Sequence, residues 1–86
     1  MKYVVYLIIT SAKNKTISYV GYTNNIDKRL KLHNSGKGAK FTKGKKWKLI
    51  YSQNYRSKSK AMQEEYKLKK NYKLRKIIKS KYLLNA

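Results

Sequence analysis

Residues 3–10 (YVVYLIIT) carry an uninterrupted run of β-branched, leucine and tyrosine side chains from Val4 to Ile9. Such a run reads as a buried strand. It is far too short to span a membrane, and it lacks the charged start and cleavage site of a signal peptide. Whatever the chain becomes must be built around this strand. With 86 residues there is enough for one compact domain and too little for a second core. A chain of this size buries only about 60% of the surface it exposes when unfolded. One domain over residues 1–86, with a thin core, is therefore expected.

Turn chemistry at 11–15 (SAKNK) followed by a β-rich stretch at 16–22 (TISYVGY) predicts a hairpin. Thr23 to Asn25 offer caps for a helix running to about Ser35, with Gly36 as its stop. Residues 36–46 (GKGAKFTKGKK) form a basic, glycine-containing segment, and 47–52 (WKLIYS) alternate as a third strand. Ser57 or Ser59 can cap a helix from about Lys60 to Lys70, and a basic helix follows over about Tyr72 to Leu83. The order β-β-α-β-α-α predicts an α+β fold on a small sheet.

Charge narrows the function. Lys and Arg number 23 against 3 Asp and Glu, a formal charge of +20. A domain this positive has use for an anionic partner, first nucleic acid and second an acidic membrane surface. Lysine richness also follows from AT-rich coding, but that does not explain so few acids. The absence of cysteine excludes disulfides, zinc–thiolate sites and a thiol nucleophile, and it fits a reducing, cytoplasmic setting.

Helical periodicity places polar groups where apolar ones are expected. At about 100° per residue, Arg29 and His33 share the stripe of Ile26 and Leu30, while Asp27, Lys28 and Lys31 face outward. Arg29 either snorkels at the stripe's edge or aims a guanidinium at phosphate. His33, the sole histidine, is either a satisfied core residue or a functional one. In the second helix Glu65 lies within the stripe of Ala61, Leu68 and Tyr72, and Glu64 falls off its edge. Glu65 is either one half of a buried ion pair or a metal ligand. A two-metal site gathers several carboxylates, which a chain with Asp27, Glu64 and Glu65 alone cannot easily supply. If the chain does metal-dependent chemistry on a phosphate, it uses one ion and one Glu, with water and phosphate completing the shell, as suits Mg²⁺. Tyr3, Tyr6, Tyr19 and Tyr22 cluster on the hairpin, as packing or as chemistry. Gly21 inside a strand marks a bulge or a close backbone approach.

Tyr3-Val4-Val5-Tyr6, then Tyr19-Val20-Gly21, Arg29, His33-Asn34, Gly36-Lys37-Gly38-Ala39-Lys40 and Glu65, in that order, resemble the GIY-YIG nuclease domain in its short stand-alone form. The likeness is strongest over residues 3–70. It implies a three-stranded antiparallel sheet flanked by helices, and phosphodiester hydrolysis with one divalent cation, Mg²⁺ or in its place Mn²⁺. Tyr6 matches the tyrosine of the first motif and Tyr19 that of the second; one or both would position or deprotonate the attacking water. Arg29 matches the arginine on the scissile phosphate, Glu65 the metal ligand and His33 a histidine common in short members. The first motif's Gly and Ile are replaced here by Val4 and Val5. As a base, a tyrosine with an ordinary pKa of about 10 would need a nearby cation to lower it.

Lys37, Lys40, Lys43, Lys45 and Lys46, with Phe41 between them, suit sequence-blind phosphate contacts and stacking, or form a solvated charge run. Lys69, Lys70, Lys73, Arg75, Lys76, Lys79 and Lys81 make a second basic surface. The expected protein is a DNA endonuclease, monomeric when free, that selects structure over sequence. The alternatives are a non-catalytic nucleic-acid-binding module with the same fold, and a basic regulator that binds an acidic protein or membrane.

Overall fold

In the computed structural model, which describes residues 2–12 and 15–84, β1 (Tyr3–Ala12) is the middle strand of a three-stranded antiparallel sheet of order β2-β1-β3. β2 spans Lys15–Thr23 and β3 spans Lys48–Tyr55. The central position explains the unbroken apolar run. Both edges of β1 are hydrogen-bonded and both faces are covered, so the alternation of a half-exposed strand is absent. Val5 and Leu7 pack with Val20 and with Ala61 and Leu68 of α2 (Lys58–Lys70). Tyr6 and Ile8 pack on the opposite side with Trp47, against Ile26 and Leu30 of α1 (Ile26–Asn34). The order β-β-α-β-α-α is that read from the sequence, and α3 spans Tyr72–Leu84. Among the described residues no helix is long and apolar enough to cross a membrane.

Boundaries differ from expectation for local reasons. Ala12 pairs with Lys15, so both strands run further than their expected ends; Lys13 and Asn14 lie outside the described residues. Trp47 precedes β3 instead of opening it. The Asn34 side chain accepts from the Trp47 N–H and donates to its C=O, which holds that peptide off the ladder. The indole goes into the core and its Nε1–H donates to the Thr42 C=O at 3.0 Å. Asn25 caps α1 and Ser57 caps α2, accepting from the N–H groups of Lys28 and Lys60; the second cap starts α2 at Lys58. Gly36, with φ of +82°, follows α1 as its stop.

Asn71 separates the last two helices. Its backbone leaves helical geometry at φ −90°, ψ 77°, and its Oδ1 accepts from the Leu74 N–H at 3.0 Å. This break removes Tyr72 from the stripe of α2, where periodicity put it, and leaves it 63% exposed. Arg75 donates through Nε and Nη2 to the C=O groups of Leu68 and Lys69 at 3.2 and 3.1 Å. It therefore closes the end of α2 while keeping its charge.

A core this thin has little reserve. Leu7 is 0% exposed, and Leu7→Ala should lower stability by about 2–5 kcal/mol. Urea unfolding at neutral pH checks this; a change within about 0.5 kcal/mol, the range usual for surface substitutions, would contradict the central placement of β1.

Candidate active site

The site begins with a pairing in the sheet. Tyr6 stands opposite Gly21 in the β1–β2 register. A Cβ at Gly21 would lie 2.4 Å from the Tyr6 hydroxyl oxygen, so the glycine serves a close approach and not a bulge. In the space so opened, the Tyr6 hydroxyl lies 2.8 Å from Nε2 of His33. His33, in the last turn of α1, is 0% exposed. Its Nδ1 lies 2.9 Å from Oγ1 of Thr42, and the Thr42 hydroxyl lies 3.0 Å from the Ala39 C=O.

One proton arrangement gives each of these donors an acceptor. Thr42 O–H donates to Ala39 C=O, His33 Nδ1–H donates to Thr42 Oγ1, and Tyr6 O–H donates to His33 Nε2. The reverse order would leave the proton of Tyr6, a residue 1% exposed, without an acceptor in this chain of bonds. Gly38 completes the back wall: a Cβ there would lie 2.4 Å from His33 Nδ1 and 2.9 Å from its Cα, so no larger residue lets the 38–42 turn approach the imidazole.

Burial sets the titration. It pushes the Tyr6 hydroxyl well above its ordinary pKa, with Tyr19 and Glu65 adding to the effect and Arg29 opposing it. Arg29 alone therefore does not offset the effect of burial on Tyr6. Burial, with help from Arg29, also lowers the pKa of His33, which favours the neutral ring that the hydrogen bonds require.

In front of Tyr6 opens a cleft of about 430 Å³ lined by Tyr6, Tyr19, Gly21, Arg29, Lys58 and Glu65, among others. It brings together five of the expected residues from β1, β2, α1 and α2, with His33 behind Tyr6. Lys58 was not legible as a member, since one lysine among so many carries no signal. Thr42 and Asn34 were missed as supports, because their roles depend on the path of the 36–46 segment. Phe41, 53% exposed, stacks on Tyr19 with ring centres 6.1 Å apart, next to the cleft. Lys37, Lys40, Lys43 and Lys46 are exposed and do not line it. Lys45 and Lys46 border a different cleft of about 500 Å³, with Thr10, Ser11, Lys48 and Tyr82.

Glu65 faces the cleft and pairs with Lys69 at 3.1 Å, its side chain 17% exposed. Glu64, off the stripe's edge, is slightly more exposed, at 23%, and lies between Lys67 at 3.1 Å and Lys60 at 3.8 Å. Its Oε2 has no hydrogen bond of good geometry, so the Lys67 contact is a charge pairing. Among the described residues no three His, Asp or Glu side chains converge. Glu65 thus offers one hard oxygen donor group, which fits a cation that keeps most of its water shell and takes phosphate oxygens. It does not fit a closed protein cage.

The chain belongs to the GIY-YIG catalytic domain family, whose profile matches residues 2–78. Its similarity runs to small proteins of the group called UPF0213. The UPF0213 protein of Oceanobacillus iheyensis is 43% identical over 65 residues, 74% of each chain. That of Bacillus licheniformis is 48% identical over 66 residues, 76% of this chain and 67% of its own. The solution NMR structure of the UPF0213 protein of Bacillus halodurans superposes with a TM-score of 0.50 at 35% identity, covering 93% of this chain and 84% of that one.

With one histidine and no cysteine, His33 is the side chain whose ordinary pKa, about 6.5, lies nearest neutral pH. Its folded pKa lies below 6.5, so between the two values the unfolded chain binds the extra proton. Stability is then retained above about pH 6.5 and lost as pH falls towards the folded pKa. Melting temperature should drop between pH 7 and 5.5, and His33→Gln should flatten the drop. A flat wild-type profile would contradict the buried neutral imidazole.

Proposed function

We propose that this protein hydrolyses phosphodiester bonds in DNA with one divalent cation, Mg²⁺ or in its place Mn²⁺, and selects substrate structure over sequence. The observation that carries this reading is the buried Tyr6–His33 hydrogen bond at 2.8 Å, set behind a cleft that also holds Arg29 and Glu65. Family membership supports the reaction class. The charge of +20 supports a polyanionic substrate bound chiefly through phosphates.

Hydrolysis forms a bond from water oxygen to phosphorus and breaks the bond to the leaving oxygen. Burial makes a standing Tyr6 phenolate unfavourable. The hydroxyl instead passes its proton to His33 Nε2 as it takes one from the attacking water, so no isolated phenolate accumulates. His33 ends as an imidazolium still held by Thr42, and the departing oxygen takes its proton from solvent. Tyr19, beside Tyr6 and edge-on to His33 at 5.2 Å between ring centres, confines the water. Arg29 meets the charge growing on the phosphoryl oxygens with two donors in a fixed plane. Glu65 would hold the cation, whose contribution when bound is positive charge at the leaving oxygen. Phe41 and the lysines of the 36–46 segment hold the flanking backbone.

One feature favours the alternative of a non-catalytic nucleic-acid-binding module: Glu65 already has a partner in Lys69. The two readings part under a panel of branched, nicked, single-stranded and duplex DNA with Mg²⁺, Mn²⁺ or EDTA. Glu65→Gln should abolish metal-dependent cleavage and weaken Mn²⁺ binding while sparing DNA affinity; Glu64→Gln, the matched control, should leave all three near wild type. Arg29→Lys keeps the charge but loses the planar fork, and should cost about 10²–10³ in rate. Cleavage absent from wild type on every substrate, or Mn²⁺ affinity unmoved by Glu65→Gln, would favour the binding module.

A further inference from the structure

Thr42 touches neither wall nor mouth of the cleft, yet it is 0% exposed and makes two of the three bonds in the chain behind Tyr6. From this placement we infer that Thr42 is a positioning residue: it fixes the proton of His33 on Nδ1, so that Nε2 is the atom that faces the Tyr6 hydroxyl and can receive its proton. The catalytic part of the inference rests on the proposed hydrolysis; the tautomer part does not.

The geometry gives Thr42 a single polarity. Its hydroxyl has one proton, and the Ala39 C=O, 3.0 Å away, takes it. What it then presents to His33 at 2.9 Å is a lone pair, and a lone pair is met by N–H. The backbone holds this arrangement in place. The Thr42 N–H also donates to the Ala39 C=O, at 3.1 Å, and the Trp47 indole donates to the Thr42 C=O. The turn can stand this close to the imidazole only because residue 38 has no Cβ.

The choice of a neutral acceptor matters to the chemistry. A carboxylate in place of Thr42 would hold the same tautomer, but it would also favour the imidazolium before any proton had been transferred. A hydroxyl oxygen orients the ring and leaves it neutral, free to accept. Thr42 thus does the orienting task that a carboxylate performs for histidine in hydrolytic triads, without adding a charge to a buried site.

The experiment reads the single imidazole by ¹⁵N NMR at neutral pH and pairs that with cleavage rate and DNA affinity. Wild type should show the neutral Nδ1–H form. Thr42→Val, similar in shape but without an acceptor, should shift the ring towards the Nε2–H form and lower the cleavage rate about 10–100-fold, as loss of an outer-shell support does at metal-bound histidines, with DNA affinity unchanged. Thr42→Ser should restore both signals. If Thr42→Val does not fold, Thr42→Cys, of similar size with only a weak acceptor, takes its place. An Nε2–H ring in wild type, or an unchanged Nδ1–H ring in the variant, overturns the assignment whether or not the protein cuts DNA. A shifted tautomer with an unchanged rate overturns only the catalytic role of Thr42. No cleavage by wild type, with the tautomer as expected, counts against the nuclease reading and leaves the positioning intact.

Discussion

A tyrosine hydroxyl buried inside a sheet must find an acceptor, and most of this structure follows from how Tyr6 finds one. An unpaired hydroxyl in that position would cost about 1–3 kcal/mol, a large share of what so small a domain can hold. The acceptor is His33, which α1 carries into the layer above the sheet. To bring the two together the chain gives up a side chain at Gly21, where the hydroxyl passes. It gives up another at Gly38, where the next turn closes over the ring. The same interaction that satisfies the core holds a proton donor and its acceptor behind the cleft, so stability and chemistry draw on one hydrogen bond.

The second constraint is charge. With 3 acidic residues against 23 basic ones, few lysines have a partner, and self-repulsion works against compactness. Two of the acids are spent on α2, where Glu64 and Glu65 each meet lysines one turn away. Pairs of that kind contribute only a few tenths of a kcal/mol each. The sheet and its two apolar layers carry the fold, and the unneutralised surface is left for an anion. The partner proposed for that surface, DNA, would relieve repulsion as it binds.

Much of the fold was legible in the sequence because local signals agreed with tertiary ones. The Val4–Ile9 run has no alternation to hide, and Asn25, Gly36 and Ser57 act as the caps and stop their types suggest. Helical periodicity brought Arg29, His33 and Glu65 towards the interior, and the structure gathers Arg29 and Glu65 with Tyr6 and Tyr19 at one cleft. What periodicity could not reveal was partnership. Thr42 reads as an ordinary loop residue until the 38–42 turn is seen to fold under α1. Asn34 reads as the end of a helix until its amide is seen to clasp the Trp47 backbone. A wheel put Glu64 nearer solvent than Glu65, as it is, but could not show the lysines around it or Tyr55, whose hydroxyl pKa burial and then Glu64 raise. Long-range hydrogen bonds of this kind leave no periodic trace.

In the proposed reaction Tyr6 and His33 act as one proton-transfer unit, and a double-mutant cycle on the cleavage rate tests this. Groups that work as a unit are grossly non-additive: either loss alone costs about as much as both. Tyr6→Phe and His33→Gln should each slow single-turnover cleavage by a similar large factor, and the double variant should be no slower than the worse of the two. Losses that multiply, or a His33→Gln enzyme that cuts at the wild-type rate, would contradict the account.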